Sequence, residues 1–219
     1  MEKRNTLIVT GGSLNSDFAK SLIEEESFKF IIGVDGGLDF LYRNGIAPTH
    51  IVGDFDTVTQ EALRYYKSLP GIEIQEFRPE KDATDTQISI ELAVRLNSTQ
   101  ITIIGAMGSR LDHVLGNIYS MAIALKCKIP CYLQDENNKV FLLQDDLTIK
   151  KNEQYGAYIS LLPLTTEVAG VTLEGFKYPL FNDTLSSFDS LGISNEIVEE
   201  TASIAFNDGI LIMVQSKDQ

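Results

Sequence analysis

The sequence predicts an α/β N-terminal domain with a mostly parallel sheet, followed by an all-β C-terminal sandwich domain. Three observations predict it. In the first part of the chain, short β-branched runs end at glycine. Stretches of helical periodicity separate those runs. After about residue 130 that periodicity disappears, and short β-rich runs with turn residues between them take over. The expected division is 1–130 for the α/β domain and 131–219 for the β-sandwich. A chain of 219 residues can bury one large core or two modest ones.

The elements follow in order. Thr6–Thr10 is a β-branched run ending in Gly11-Gly12. Phe28–Val34 ends in Asp35-Gly36-Gly37, and His50–Val52 is closed by Gly53-Asp54. Ile72–Phe77 and Ile101–Ile104 complete the strand set of this half. Between the last two, Ile88, Leu92 and Leu96 recur at helical spacing. Leu111, Val114, Leu115, Ile118, Ala122 and Leu125 form one longer apolar stripe. The second half holds Cys131–Leu133, Val140–Leu143, Leu147–Ile149, Ala157–Leu162 and Val168–Leu173. Its clearest local signal is a hairpin: Ala202–Phe206, an Asn207-Asp208-Gly209 loop, then Ile210–Val214.

Composition narrows the function. The chain is 43% hydrophobic and 22% charged, as ordinary globular proteins are, and carries a net charge of −13. Such a balance argues against a nucleic-acid partner and against an anionic membrane surface. No apolar run reaches signal-peptide or transmembrane length. Cys127 and Cys131 are too few for a disulfide framework, and His50 and His113 are not at metal spacing from them. Both cysteines are expected as buried thiols, and the cytoplasm as the compartment.

Ligands of parallel sheets bind beyond the carboxyl ends of the strands, and there the acidic motifs cluster. Gly53-Asp54-Phe55-Asp56 spaces two carboxylates two apart, which in a strand puts both on one face. Its plain alternative is a strand exit with Asp56 as a helix cap. Lys81-Asp82-Ala83-Thr84-Asp85 places two acids a helical turn apart, and also suits a helix start capped by Thr84 or Asp85. Gly105 to His113 runs from strand to helix through Gly108, Arg110 and Asp112. Glycines there let backbone N–H groups approach a phosphate, and an arginine can grip its oxygens. Clustered carboxylates repel one another and call for a hard divalent cation such as Mg²⁺, which commonly brings phosphates. Asp54, Asp56, Asp82, Asp85 and Asp112 are the candidate metal and catalytic residues. Asp35, Gly36, Gly37, Lys81 and Arg110 are the candidate nucleotide-binding residues.

The motifs Val-Asp35-Gly-Gly, Gly-Asp54-Phe-Asp56, Lys81-Asp82-Ala-Thr-Asp85 and Gly-Ser-Arg110-Leu-Asp112-His113 occur in this order, with Gly192-Ile193-Ser194-Asn195-Glu196 in the β-rich part. In that register they resemble the thiamine pyrophosphokinase family along essentially the whole chain. The resemblance implies transfer of a pyrophosphoryl group from ATP to the hydroxyethyl oxygen of thiamine, giving thiamine diphosphate and AMP. It implies Mg²⁺ and a homodimer with thiamine at the subunit interface. It also places Ser194 and Asn195 in the thiamine pocket, where their residue types alone suggest only a turn. Many family members set a tryptophan near the thiamine ring. This chain has none, and Phe188 is a nearby aromatic. Two rivals stand beside this reading: a pyrophosphokinase for another heterocyclic alcohol such as a pterin, and a non-catalytic nucleotide or thiamine sensor.

Overall fold

The computed structural model describes residues 2–78, 82–108 and 110–218. The chain divides into two units, the first ending at Glu136 and the second beginning at Asn137. In the first unit strands and helices alternate: β1 (Asn5–Val9), α1 (Ser16–Glu25), β2 (Phe30–Val34), α2 (Gly37–Arg43), β3 (His50–Gly53), α3 (Gln60–Ser68), β4 (Glu73–Glu76), α4 (Asp85–Arg95), β5 (Gln100–Ile104), α5 (Leu111–Ser120), α6 (Ala122–Lys126) and β6 (Cys131–Gln134). Every strand pair is parallel, in the order β6-β5-β1-β2-β3-β4. The chain lays β2, β3 and β4 on one side of β1, then returns to place β5 and β6 on the other. The strand order therefore reverses between β1 and β5, and a crevice opens at the carboxyl end of such a switch point.

Local chemistry explains these elements. Leu7, Ile8 and Val9 are fully buried, as expected of a central strand covered on both faces. Each such side chain contributes roughly 1.5–3 kcal/mol by leaving water. Leu38 and Leu41 of α2 pack with Leu7, Val9, Ile51 and Ile104 in one core. Helix starts are capped by short polar side chains. Asn15 accepts from the N–H of Asp17 and Phe18, Thr59 from Ala62 and Thr84 from Gln87.

Several sequence expectations need correcting. Cys131–Leu133, read as the first strand of the second domain, lies in β6 and pairs with β5 as a parallel neighbour. The long stripe from Leu111 to Leu125 is two helices. They part at Met121, whose N–H closes a tighter turn onto the Ile118 carbonyl. Leu111 and Leu115 face outward, 68% and 44% exposed, in line with exposed Tyr119. Cys131 is buried, which pushes its thiol up to about 12, whereas Cys127 is exposed at the end of α6.

The second unit holds β7 (Asn138–Leu143), β8 (Leu147–Lys150), β9 (Tyr158–Pro163), β10 (Glu167–Glu174), β11 (Leu180–Ser186), β12 (Asn195–Glu196), β13 (Thr201–Ala205) and β14 (Leu211–Ser216). They form antiparallel sheets, β12-β9-β14-β7 and β11-β10-β13-β8. Ile159, Leu161 and Met213 from one sheet meet Val171, Leu173 and Ile204 from the other in a single core.

The expected hairpin at residues 202–214 does not form. Its two strands, β13 and β14, belong to different sheets. The Asn207-Asp208-Gly209 loop is a corner instead. Asn207 N–H donates to the Ala169 carbonyl, and Ala169 N–H donates to that of Asp208. A turn signal reports only that the chain reverses. Ala202 and Ile204, like Leu211 and Met213, are buried on their own strands, which satisfies a core from either side. Among the described residues no helix is long and apolar enough to cross a membrane.

Candidate active site

A cavity of about 610 Å³ lies at the carboxyl ends of β1, β2, β3 and β5. One side is backbone. The Gly12 N–H donates to the Gly105 carbonyl at 2.8 Å, and a Cβ on Gly12 would run into that oxygen. With Gly11, Gly36 and Gly108 these residues leave a surface of peptide groups, the kind of surface a phosphate chain can approach closely.

The other side is acidic. Asp35, Asp54, Asp82 and Asp85 all line the cavity. Asp35 follows β2 with φ +41, and its Oδ1 accepts from the Phe55 N–H at 3.3 Å. Burial pushes the Asp35 carboxyl up to about 7, and the negative charges of Asp85 and Asp54 add to the rise. Burial first, and the neighbouring acids second, thus disfavour the ionised form of Asp35.

The raised value has a stability consequence. Asp35 is at its most stabilising below its unfolded value, near 3.8. That contribution is lost as pH rises to about 7, because the folded state then has to ionise a group it disfavours. Asp35→Asn keeps the acceptor for Phe55 and removes the charge. In chelator, the variant is expected to match the parent near pH 4 and to exceed it at pH 8. The expected gain is on the order of 1–2 kcal/mol, after discounting for screening at a partly exposed site. Thermal melts across pH check this, and a variant less stable than the parent at pH 8 contradicts it.

The backbone between the acids is unusual. Six non-glycine residues among those described have positive φ: Asp35, Phe55, Asn97, Lys128, Asn182 and Ser194. Asn97 and Lys128 sit just past the ends of α4 and α6, where this conformation is a common helix stop. Asp35, Phe55 and Ser194 have no such excuse, and all three lie in motifs singled out from the sequence. Strain of this kind concentrates at functional sites.

It also corrects the Asp54–Asp56 expectation. β3 ends at Gly53, with φ +152, and Phe55 turns inward at φ +62 to lie buried. Strand alternation therefore does not reach the two acids. Asp54 faces the cavity and its Oδ1 accepts from the Asp56 N–H at 3.1 Å, while Asp56 is exposed and off the cavity lining.

Asp82 and Asp85 do not share a helical turn. α4 begins at Asp85 behind the Thr84 cap, and Asp82 precedes it, yet both reach the cavity. Lys81, and Ser109 of the arginine motif, lie outside the described residues. Arg110 lines the cavity mouth and is tied to Asp112 by two bonds, Nη2–Oδ2 at 2.6 Å and Nε–Oδ1 at 3.2 Å. That pairing holds the Asp112 carboxyl below its usual value. Asp112 itself does not line the cavity. Both groups are exposed, at 69% and 65%, and an exposed pair of this kind is readily exchanged for another partner such as a phosphate. Gly36 lines the cavity; Gly37 does not, and is buried against the Val9 carbonyl.

In the second unit Ser194 is exposed, with its N–H donating to Ser160 Oγ at 3.0 Å. Asn195 is 7% exposed and its amide is committed to backbone. Oδ1 accepts from the N–H of Tyr178 and Glu196, and Nδ2 donates to the Tyr178 carbonyl. Asn195 therefore grips the chain at Tyr178 on both sides.

Sequence reading missed Thr10, Thr57 and Asn117 on the cavity wall. The signal for Asn117 is present in hindsight. It lies one helical turn after His113, a second polar residue on a helix read for its apolar stripe.

Among the described residues no three His, Cys, Asp or Glu side chains stand close enough to hold a metal ion. The donor set nevertheless fits Mg²⁺. All four acids on the wall offer hard oxygen ligands, and burial together with their mutual repulsion raises Asp35. Mg²⁺ is commonly bound through one or two carboxylates plus substrate phosphates, so a closed protein cage is not required.

Comparison with known proteins agrees with this geometry. The family model "Thiamin pyrophosphokinase, catalytic domain" matches residues 20–133, and "Thiamin pyrophosphokinase, vitamin B1 binding domain" matches residues 146–211. A thiamine pyrophosphokinase of Bacillus subtilis is 37% identical over 189 residues, covering 85% of this chain and 87% of that protein. The crystal structure of thiamine pyrophosphokinase from the same species aligns with a TM-score of 0.86 at 33% identity, covering 99% of this chain and 100% of that one. That of Geobacillus thermodenitrificans aligns at 0.84 and 30% identity, covering 98% of each. The yeast enzyme, at 15% identity, covering 99% of this chain and 87% of that one, shares the fold with a TM-score of 0.83. With its α/β half and its β half each matched in register, the chain belongs to the thiamin pyrophosphokinase family.

Proposed function

We propose that this chain transfers pyrophosphate from ATP to thiamine, giving thiamine diphosphate and AMP. The observation that carries it is one cavity joining a peptide-lined side to an acidic wall, in the unit matched by the catalytic family model. The thiamine hydroxyl oxygen bonds to the β-phosphorus, the bond from that phosphorus to the α–β bridging oxygen breaks, and AMP departs with the bridging oxygen. The hydroxyl proton leaves to a carboxylate of the acidic wall.

In this reading Asp54, Asp82 and Asp85 would hold Mg²⁺, which would supply charge neutralisation on the phosphate oxygens. Asp35 and Gly36 position the nucleotide. Arg110 exchanges Asp112 for phosphate oxygens, and Lys81, outside the described residues, adds positive charge there. Asp112 thus serves as a placeholder for the phosphate. Asp56 keeps Asp54 oriented through its N–H. Gly37 acts by letting α2 start hard against β1.

The second unit supplies the thiamine pocket through Ser194 and Asn195. Because the Asn195 amide is committed to backbone at Tyr178 and Glu196, its part is to hold the segment at Tyr178. Tyr178 is 58% exposed and offers an aromatic surface in place of the absent tryptophan. Tyr178→Ala is expected to raise KM for thiamine about tenfold with KM for ATP unchanged, and Tyr178→Phe to behave as the parent. Steady-state kinetics with each substrate varied checks this, and an unchanged thiamine KM in the alanine variant moves the role elsewhere.

A homodimer is part of the proposal. Leu111, Leu115 and Tyr119 form an exposed apolar line along α5, the kind of surface a second copy covers. Both cysteines are free thiols, which suits a reducing compartment such as the cytoplasm.

The test is direct. Incubation with ATP, Mg²⁺ and a panel of alcohols including thiamine should yield AMP and thiamine diphosphate. Release of ADP would make the protein a simple kinase, preference for a pterin alcohol would move the substrate, and no turnover would favour a sensor.

A further inference from the structure

Asn117 is the most deeply buried polar side chain on the cavity wall, at 5% exposure. Its Nδ2 donates to the Ala106 carbonyl at 3.0 Å. A carbonyl only accepts, so this bond fixes which end of the amide faces the loop. Oδ1 has no hydrogen-bond partner among the described residues, and it is not one of the fully sealed unpaired atoms. The little surface Asn117 retains therefore includes an acceptor with nothing to accept from.

We propose that Asn117 Oδ1 binds the nucleoside end of ATP, accepting a hydrogen bond from a ribose hydroxyl or the adenine amino group. The inference rests on the ATP-dependent reading above. Three features select the nucleoside. Phosphate oxygens at neutral pH carry no proton to donate, so a carbonyl-type oxygen repels them. Ala106, which Asn117 holds, follows β5, and Thr10 follows β1, so the residue stands at the switch point where the strand order reverses. Finally, Asp35 follows β2 and Asp54 follows β3, two and three strands away from β5. At about 4.8 Å per strand the acidic wall is roughly 10–14 Å from Asn117, a gap that a triphosphate chain bridges. Thiamine has to present its hydroxyl at the acidic wall, which leaves the far end of the cavity to the nucleoside.

The experiment measures binding without turnover. Calorimetry of the wild-type protein with AMP, 2′-deoxy-AMP, 3′-deoxy-AMP and purine riboside monophosphate identifies the donor. One analogue is expected to bind about tenfold more weakly than AMP. Asn117→Ala is expected to weaken AMP about tenfold and to lose discrimination against that same analogue, while Mg²⁺-tripolyphosphate binds both proteins alike. A purely structural role, acting through the Gly105–Arg110 loop, would weaken tripolyphosphate as well. The proposal is overturned if wild type binds no AMP, if it binds all four nucleotides equally, or if the variant keeps the parental discrimination. The wild-type series needs no variant to fold. If thiamine is not turned over but the analogue pattern holds, the proposed reaction fails and the Asn117 assignment stands.

Discussion

Asp54→Asn is expected to lower turnover about a thousandfold while the protein melts at or slightly above the parental temperature. The two signs differ because the residue works against its neighbours. Its charge helps raise the Asp35 carboxyl, so removing it relieves repulsion on the acidic wall. The amide keeps the shape of the carboxylate, and its oxygen still accepts from the Asp56 N–H. On the proposed reading, what is lost is a charged oxygen ligand beside the phosphates, and phosphoryl transfer leans almost wholly on such neutralisation. Turnover against Mg²⁺ concentration, with a melt on the same sample, reads both signs. Near-parental turnover with unchanged Mg²⁺ dependence would remove Asp54 from the site.

Gly37→Ala is expected to destabilise the first unit by about 3 kcal/mol, a drop of roughly 6–12 °C in melting temperature. A Cβ at this position would collide with the Val9 carbonyl and lie 3.0 Å from the Thr10 carbonyl carbon. Neither can swing away, since both belong to the central strand or its exit. Helix α2 would have to ride outward from β1 and loosen Leu38 and Leu41 in the core. Gly36→Ala is the contrasting control. Its Cβ would stand 3.3 Å from Gly11 Cα and 3.7 Å from Thr57 Oγ1. It should therefore melt close to the parent but hinder the nucleotide in the cavity it lines. Equal melting of both variants would show that Gly37 is not needed for packing.

The sequence made one half of this molecule easier to read than the other. Parallel strands announce themselves by apolar runs closed by glycine, and the runs at Thr6, Phe28, His50 and Ile101 all correspond to strands. Carboxyl-end placement then drew Asp35, Asp54, Asp82 and Asp85 to one cavity. Spacing rules failed where the backbone left its regular path. Asp54 and Asp56 parted because Gly53 and Phe55 adopt positive φ, and no residue pattern at Phe55 advertises that. The apolar stripe of α5 was visible, but not that Leu111 and Leu115 would point outward. Asn195 was found by resemblance, yet the commitment of its amide to backbone appears only when its partners at residues 178 and 196 are in place. The hairpin at Ala202 misled because local turn chemistry does not say which sheet receives the next strand.

The central position of β1 also bears on how the chain comes off the ribosome. β1 needs β5 as one of its two neighbours, and β5 is translated about a hundred residues later. At roughly 5–20 residues per second that is a wait of about 5–20 s, during which Leu7, Ile8 and Val9 carry an unpaired edge. Closing so distant a pair is slow as well, since a long loop has to be ordered first. The nascent chain is therefore most vulnerable to self-association before Ile104 emerges. A chaperone that holds β1 would protect both the sheet and the crevice at its carboxyl end.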